Sequence, residues 1–155
     1  MKVAIVMGSK TDLPIVEKTH ELLDKFGIEH ESRILSAHRT PEEALDYSRN
    51  AENNGFDLII AAAGKAAHLP GVLAAVTTLP IIGLPIKSST MDGMDSLLSI
   101  VQMPKGVPVA TVAINGGENA GILAAQIMSL KYPELKLKLK EFKEEMRSNI
   151  LSQSI

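Results

Sequence analysis

The strongest constraint on the fold of this chain is an alternation, repeated five times, between short apolar runs and segments with helically spaced apolar residues. The first run, KVAIVM at residues 2–7, is apolar and β-branched enough for a strand buried on both faces. Strands that alternate with helices favour a parallel sheet covered on both sides. Because crossovers are right-handed, we predict an α/β fold with three α/β/α layers, a flavodoxin-like parallel sheet of strand order 2-1-3-4-5.

Turn and cap signals place the individual elements along the chain. The predicted strands are residues 2–7, 29–35, 57–63, 80–85 and 109–113. The predicted helices run from an N-cap at Asp12 to Gly27, then over 41–53, 72–76, 97–101 and 116–130. An extra C-terminal helix begins at Pro133, has no partner strand, and could pack on its own domain or on a neighbouring subunit.

Length and composition exclude several classes of protein. A chain of 155 residues suits a single domain over 1–155. A net charge of −2 provides no basic surface for nucleic acid or for a membrane. The absence of cysteine excludes disulfides, thiolate catalysis and Cys-based metal sites. The first apolar run is too short for a signal peptide or a membrane span, so we expect a cytoplasmic protein.

The hexapeptide SAHRTP, at residues 36–41, lies where an apolar run gives way to a helix start. Thr40 and Glu43 fit an N-cap and a capping-box acid, which places His38 and Arg39 on the turn between strand and helix. Unpaired backbone N–H groups at such a turn favour an anion. Arginine adds a forked cation suited to phosphate, and histidine adds a proton carrier. The alternative interpretation is an ordinary surface turn.

Polar side chains follow three of the predicted strands. Because ligands bind beyond the carboxyl ends of the strands in such sheets, these side chains should converge on one site. Three loops supply them: Ser9, Thr11 and Asp12 after the first strand, Ser36, His38 and Arg39 after the second, and Gly64, Lys65 and His68 after the third.

Other kinds of site fit the sequence poorly. The stretch from Ala63 to Ala66 lacks the residues of a P-loop, and no G-x-G-x-x-G follows the first strand. His38 and His68 could share a metal, but no spacing of the HExxH type supports one, and we expect no metal. His20 and His30 are interpreted as surface or packing residues.

Five motifs, in this order, resemble the PurE family over residues 3 to about 140. They are GSKTD at 8–12, SAHRTP at 36–41, AAHLPG at 66–71, MDGMDSLLSIVQMP at 91–104 and GVPVATVAI at 106–114. The resemblance implies an N5-carboxyaminoimidazole ribonucleotide mutase of purine biosynthesis, which moves a carboxylate from an exocyclic nitrogen to ring carbon C4. HLPG at the third loop is similar to the bacterial mutase branch. The resemblance also implies a ribonucleotide substrate, no cofactor and a homo-octamer.

The same resemblance implies a role for each matching residue. His38 would transfer the proton, with His68 beside it as the second catalytic residue. The ribose phosphate would be bound by Ser9, Thr11, Asp12 and Arg39, where Thr11 keeps the hydroxyl of the family's usual serine. The pocket for the carboxylate would be shaped by Ser36, Gly64, His68 and Leu69.

The third loop departs from the family pattern, which usually reads GAGGAAHLPG. Here Ala62 and Lys65 replace glycines. A related branch that carboxylates aminoimidazole ribonucleotide directly with CO2 carries an arginine near this point, so direct carboxylation stays an alternative. A non-catalytic nucleotide-phosphate binding module is a second alternative, although phosphate binding alone requires neither His38 nor His68. We predict that Lys65 is peripheral and adds long-range attraction for an anionic substrate.

Overall fold

A computed structural model describes residues 1–153 and contains five parallel strands in the order β2-β1-β3-β4-β5. This is the predicted flavodoxin-like order. The strands are β1 Lys2–Met7, β2 Glu29–Ile34, β3 Leu58–Gly64, β4 Ile81–Ile86 and β5 Ala110–Thr111. The helices are α1 Leu13–Phe26, α2 Pro41–Asn50, α3 Leu69–Ala74, α4 Met94–Val101, α5 Gly117–Met128 and α6 Glu134–Leu151.

Alternate residues of β1 enter two different cores. Val3 and Ile5 pack with α1, α5 and α6 on one face, whereas Ala4 and Val6 pack with α2, α3 and α4 on the other. The side-chain alternation of a strand thus feeds both helical layers. Burial on both faces explains why β1 reads as one continuous apolar run.

Two glycines of α5 allow that helix to pack closely on α1. A Cβ at Gly121 would lie 2.9 Å from the Cβ of Leu22, and one at Gly117 would collide with the carbonyl oxygen of Ile15. The Thr19 hydroxyl uses this proximity to donate a buried hydrogen bond of 2.8 Å to the Gly117 carbonyl. Larger residues at either glycine would force the two helices apart.

The C-terminal helix α6 packs on α1 and α5 of its own chain. Leu135 is fully buried, and Phe142 meets Phe26 edge-on with ring centroids 5.6 Å apart. The Lys138 ammonium donates to the Phe26 carbonyl at 2.6 Å. The helix therefore packs on its own subunit, which is one of the two possibilities that the sequence leaves open.

Several predicted boundaries need correction. The fifth strand, predicted over 109–113, is shorter in the structure. Only Ala110–Thr111 pairs with β4, and it is preceded by Pro108, which has no N–H to donate to a ladder. The predicted helix at 72–76 begins earlier, at Leu69, and the one at 97–101 begins at Met94. The other strand boundaries lie within one residue of the structure, and the second helix ends at Asn50 rather than 53. Within residues 1–153, no helix is both long and apolar enough to cross a membrane.

Asp57 joins three segments at the amino-terminal side of the sheet. Its carboxylate accepts the backbone N–H of Lys2 at 3.0 Å and the ammonium of Lys131 at 2.7 Å. The Tyr132 hydroxyl donates to the same carboxylate at 3.0 Å. Burial by itself would raise the pKa of Asp57, but these hydrogen bonds outweigh it and lower the pKa below 3.8.

We predict that Asp57→Asn lowers the free energy of unfolding by about 1–3 kcal/mol at pH 7, because charge-assisted hydrogen bonds are lost. Since the folded pKa lies below the unfolded one, this stabilisation is present at neutral pH and is lost as pH falls below about 4. Urea titrations at both pH values test this, with the exposed Glu141→Gln as control. Equal stability of wild type and Asp57→Asn at pH 7, or a difference that persists in acid, would contradict it.

Candidate active site

The carboxyl ends of β1, β2, β3 and β4 surround one cavity of about 570 Å³. Every site residue predicted from the sequence lines this cavity. These residues are Ser9, Thr11, Asp12, Ser36, His38, Arg39, Gly64, His68 and Leu69. The cavity lies at the point where strand order reverses between β1 and β3. This is the position expected for a ligand site in a doubly wound sheet.

Two hydroxyl groups hold the loop that carries His38 and Arg39. The Ser36 Oγ accepts the backbone N–H of His38 at 3.4 Å and that of Arg39 at 3.2 Å. The Thr40 Oγ1 accepts the Ser36 N–H at 2.8 Å and donates to the Ser36 carbonyl at 3.2 Å. Short polar side chains thus satisfy the backbone locally and give the loop a defined shape.

These contacts narrow one prediction about the hexapeptide and correct another. The backbone N–H groups of Ser36, His38, Arg39 and Thr40 donate within the loop, so these four are not available to an anion. Thr40 does occupy the N-cap position of α2, but its side chain makes no capping hydrogen bond. The capping box with Glu43 is therefore wrong, because the Thr40 hydroxyl is already used by Ser36.

A similar correction applies after β1. Asp12 occupies the predicted N-cap position of α1, but its side chain caps nothing. Ser9 acts as the cap instead, because its Oγ accepts the Thr11 N–H at 3.3 Å at the start of a 3-10 turn, Lys10–Asp12. The Thr11 hydroxyl also donates to Ser9 Oγ, at 2.9 Å. The polar groups of this loop consequently cluster at the cavity.

Arg39 bridges the loops that follow β1 and β2. Its Nη2 donates to the Gly8 carbonyl at 3.0 Å, and its Nε donates to Ser36 Oγ at 3.4 Å. A guanidinium group has five N–H donors in a planar fork. The donors not used in these two contacts can serve an anion beside Ser9 and Thr11.

His38 and His68 face each other across the cavity. The Nε2 of His38 lies 2.9 Å from the Nδ1 of His68, and the rings are nearly perpendicular at 83°. At this distance one nitrogen carries a proton and the other accepts it, so the pair forms a short path for proton exchange. Both side chains are on exposed turns, where a substrate can reach them.

Asp12 is the buried carboxyl group of the cavity. Only 7% of the residue is exposed. Burial raises the pKa of Asp12, while a hydrogen bond from the Thr11 hydroxyl acts in the opposite direction. A carboxyl group in this position suits the hydroxyls of a sugar better than it suits another anion.

The wall behind His68 is apolar. Ala63, Leu69 and Ile86 are all buried and line the cavity. A Cβ at Gly64 would lie 3.4 Å from the Ile86 carbonyl oxygen, so a larger residue there would narrow the cavity. Such a wall can hold a small neutral molecule out of bulk water.

Sequence reasoning missed the contribution of the fourth strand. Lys87 follows β4 directly and lines the cavity. Its backbone N–H donates to Asn115 Oδ1 at 2.8 Å, and its ammonium pairs with Asp92 at 2.6 Å. The signal was available, because the argument from strand ends that selected the first three loops applies equally to the fourth.

The two histidines set aside in the sequence lie elsewhere, between α1 and β2. His20 and His30 stack with ring centroids 4.7 Å apart, and His20 Nε2 lies 2.7 Å from Ser32 Oγ. Among residues 1–153, no group of three or more His, Asp or Glu side chains is arranged to hold a metal ion.

Comparisons with known proteins agree with this geometry. The family described as AIR carboxylase matches residues 2–149. The chain is 56% identical to the N5-carboxyaminoimidazole ribonucleotide mutase of Thermotoga maritima, over 99% of this chain and 90% of that protein. It is 49% identical to the chloroplastic phosphoribosylaminoimidazole carboxylase of Vigna aconitifolia, of which it covers 26%. The crystal structure of Treponema denticola PurE superposes with a TM-score of 0.86 at 33% identity, over 97% of this chain and 94% of that one.

Proposed function

The chain belongs to the AIR carboxylase family, and we propose that the cavity performs the reaction after which its mutase relatives are named. That activity is N5-carboxyaminoimidazole ribonucleotide mutase, an isomerase of purine biosynthesis that moves a carboxylate from an exocyclic nitrogen to ring carbon C4. The observation that carries the residue assignment is the 2.9 Å contact between His38 and His68, inside a cavity with an arginine at one side and an apolar wall behind.

The reaction requires proton transfer at two atoms. When the N–CO2 bond breaks, the exocyclic nitrogen gains a proton, and CO2 is released beside the ring. When C4 attacks the CO2 carbon, a C–C bond forms and C4 loses its proton, which restores the aromatic ring. The two proton transfers cancel, so the His38–His68 pair can donate one proton and recover another without a net change.

The remaining residues hold the substrate during these steps. Ala63, Leu69 and Ile86 form the apolar wall that keeps CO2 near C4. Arg39, with the hydroxyls of Ser9 and Thr11, binds the phosphate, and Asp12 accepts hydrogen bonds from the ribose. Contacts remote from the reacting atoms orient the ring, which lowers the barrier by fixing a reactive geometry.

We predict that His38→Asn lowers turnover by ~10² or more while substrate still binds, because general acid–base catalysis is typically worth ~10²–10⁴ in rate. Ultraviolet absorbance of the imidazole product measures turnover, and calorimetry measures binding. His20→Asn is the matched control, since it removes an imidazole outside the cavity. Near-normal turnover of His38→Asn would remove this residue from the mechanism.

The same assay separates the mutase from the direct carboxylase. One cuvette contains the N-carboxylated nucleotide, and the other contains the uncarboxylated nucleotide with bicarbonate. We expect fast conversion in the first. Fast conversion in the second alone would favour the activity named for the Vigna relative.

For Arg39→Ala we predict at least tenfold weaker binding of the nucleotide, because a charge-assisted hydrogen bond is worth about 1.5–3 kcal/mol. Binding of the nucleoside without phosphate should change far less. Arg33→Ala removes an exposed arginine that pairs with Glu31 on β2 and serves as control. Equal losses for nucleotide and nucleoside would show that Arg39 does not hold the phosphate.

We further propose that the chain is a single-domain, cytoplasmic homo-octamer. The small residues of α5 do not support assembly, because Ala120, Ala124 and Ala125 are buried against the rest of their own chain. Support comes instead from α4, where Met94, Leu98 and Val101 are all close to half exposed. A row of large apolar side chains on one helix face is typical of a contact with another subunit.

Leu98→Glu should therefore dissociate the assembly, since it places a charge in an apolar contact. Light scattering at micromolar concentration should give an octamer for wild type and smaller species for the variant. Leu130→Glu changes an apolar residue that is 83% exposed outside α4 and should leave the mass unchanged. A monomeric wild type would refute the proposal.

A further inference from the structure

Lys65 has a backbone conformation that a lysine rarely adopts. Its φ angle is +57°, in the left-handed region that favours glycine. Asp92 and Asn115 also have positive φ, but these residue types tolerate it better. A lysine in this conformation destabilises the loop relative to glycine, so its presence at the cavity calls for a function that glycine could not supply.

Three cationic side chains line the cavity, and they differ in their partners. Arg39 lies against Gly8 and Ser36 at the end of β2, and Lys87 pairs with Asp92 after β4. Lys65 is exposed, and no carboxylate of residues 1–153 forms a salt bridge with it. Its ammonium is therefore available to a ligand.

The sheet order separates these cations along the cavity. Arg39 follows β2, Lys65 follows β3, and β1 lies between those two strands. Lys65 also stands three residues before His68, on the loop that carries the second catalytic histidine. With the phosphate at Arg39, as proposed above, a nucleotide that extends across β1 would bring its other anionic group, the carboxylate, to the β3 side that Lys65 lines.

In place of the peripheral role expected from the sequence, we propose that Lys65 is a specificity-determining residue whose ammonium binds the carboxylate of the substrate and of the product, in the proposed mutase reaction on which this inference rests. Substrate and product both carry that carboxylate, so the contact stabilises the two ground states alike. The Lys65 contact does not assist the release of CO2, because CO2 is neutral and no longer carries the carboxylate charge that the ammonium binds. Its loss should raise KM without lowering kcat.

Binding measurements with two nucleotides isolate this contact. Calorimetry compares the C4-carboxylated product with the uncarboxylated aminoimidazole ribonucleotide, which has the same phosphate. For Lys65→Asn, which tolerates positive φ, we expect about three- to tenfold weaker binding of the carboxylated nucleotide. Binding of the uncarboxylated nucleotide should stay within about twofold. Lys65→Arg should retain the preference.

Lys105→Met is the matched charge control. Lys105 follows α4, which runs back from the carboxyl end of β4, so it lies toward the opposite end of the sheet from the cavity. The Lys105→Met substitution should leave the affinities for the carboxylated and the uncarboxylated nucleotide unchanged. Lys65→Gly adds a second readout, since relief of the left-handed backbone should raise Tm by about 2–4 °C while the preference for the carboxylated nucleotide is lost.

Two results would overturn the inference while leaving the mutase function intact. If Lys65→Asn weakened the binding of both nucleotides equally, Lys65 would act on the phosphate or through long-range attraction. A higher Tm for Lys65→Gly with unchanged binding would make Lys65 a surface residue only. A wild-type protein that binds neither nucleotide would overturn the proposed function together with this inference.

Discussion

The structure depends on the requirement that a parallel sheet be covered on both faces. Each inner strand sends alternate side chains into two helical cores, so both layers are fixed by the same short apolar runs. Parallel pairing also places the carboxyl ends of the strands at one edge. Loops from β1 to β4 therefore meet at a single cavity although they are far apart in the sequence.

Within that cavity, local hydroxyl contacts convert flexible loops into defined ones. The Ser36 hydroxyl accepts the backbone N–H groups of His38 and Arg39, and the Thr40 hydroxyl accepts that of Ser36. After β1, the Ser9 hydroxyl accepts the N–H of Thr11 in the same way. Because these loops hold their own hydrogen bonds, they present His38 and His68 to the cavity in contact with each other.

The sequence predicted the sheet order and the polar residues that three of the four cavity loops contribute, because apolar periodicity and strand ends follow from backbone geometry alone. The predictions of N-cap hydrogen bonds were wrong where a polar side chain had a second possible partner. Thr40 and Asp12 stand at N-cap positions, yet tertiary and loop contacts take their side chains elsewhere. The length of β5 depends on pairing across the sheet, which no local pattern contains.

In the proposed mechanism, the group that keeps its charge is bound apart from the groups that exchange protons. The phosphate keeps its charge throughout the reaction, so Arg39 at the β1–β2 side would bind it equally in every state and supply orientation alone. The His38–His68 pair would act at the ring, where protons change position, and its stabilisation can therefore differ between ground state and transition state. Apolar residues behind this pair leave the released CO2 without a polar partner. Recapture by C4 is thereby favoured over escape, which is the physical requirement of a mutase as opposed to a decarboxylase.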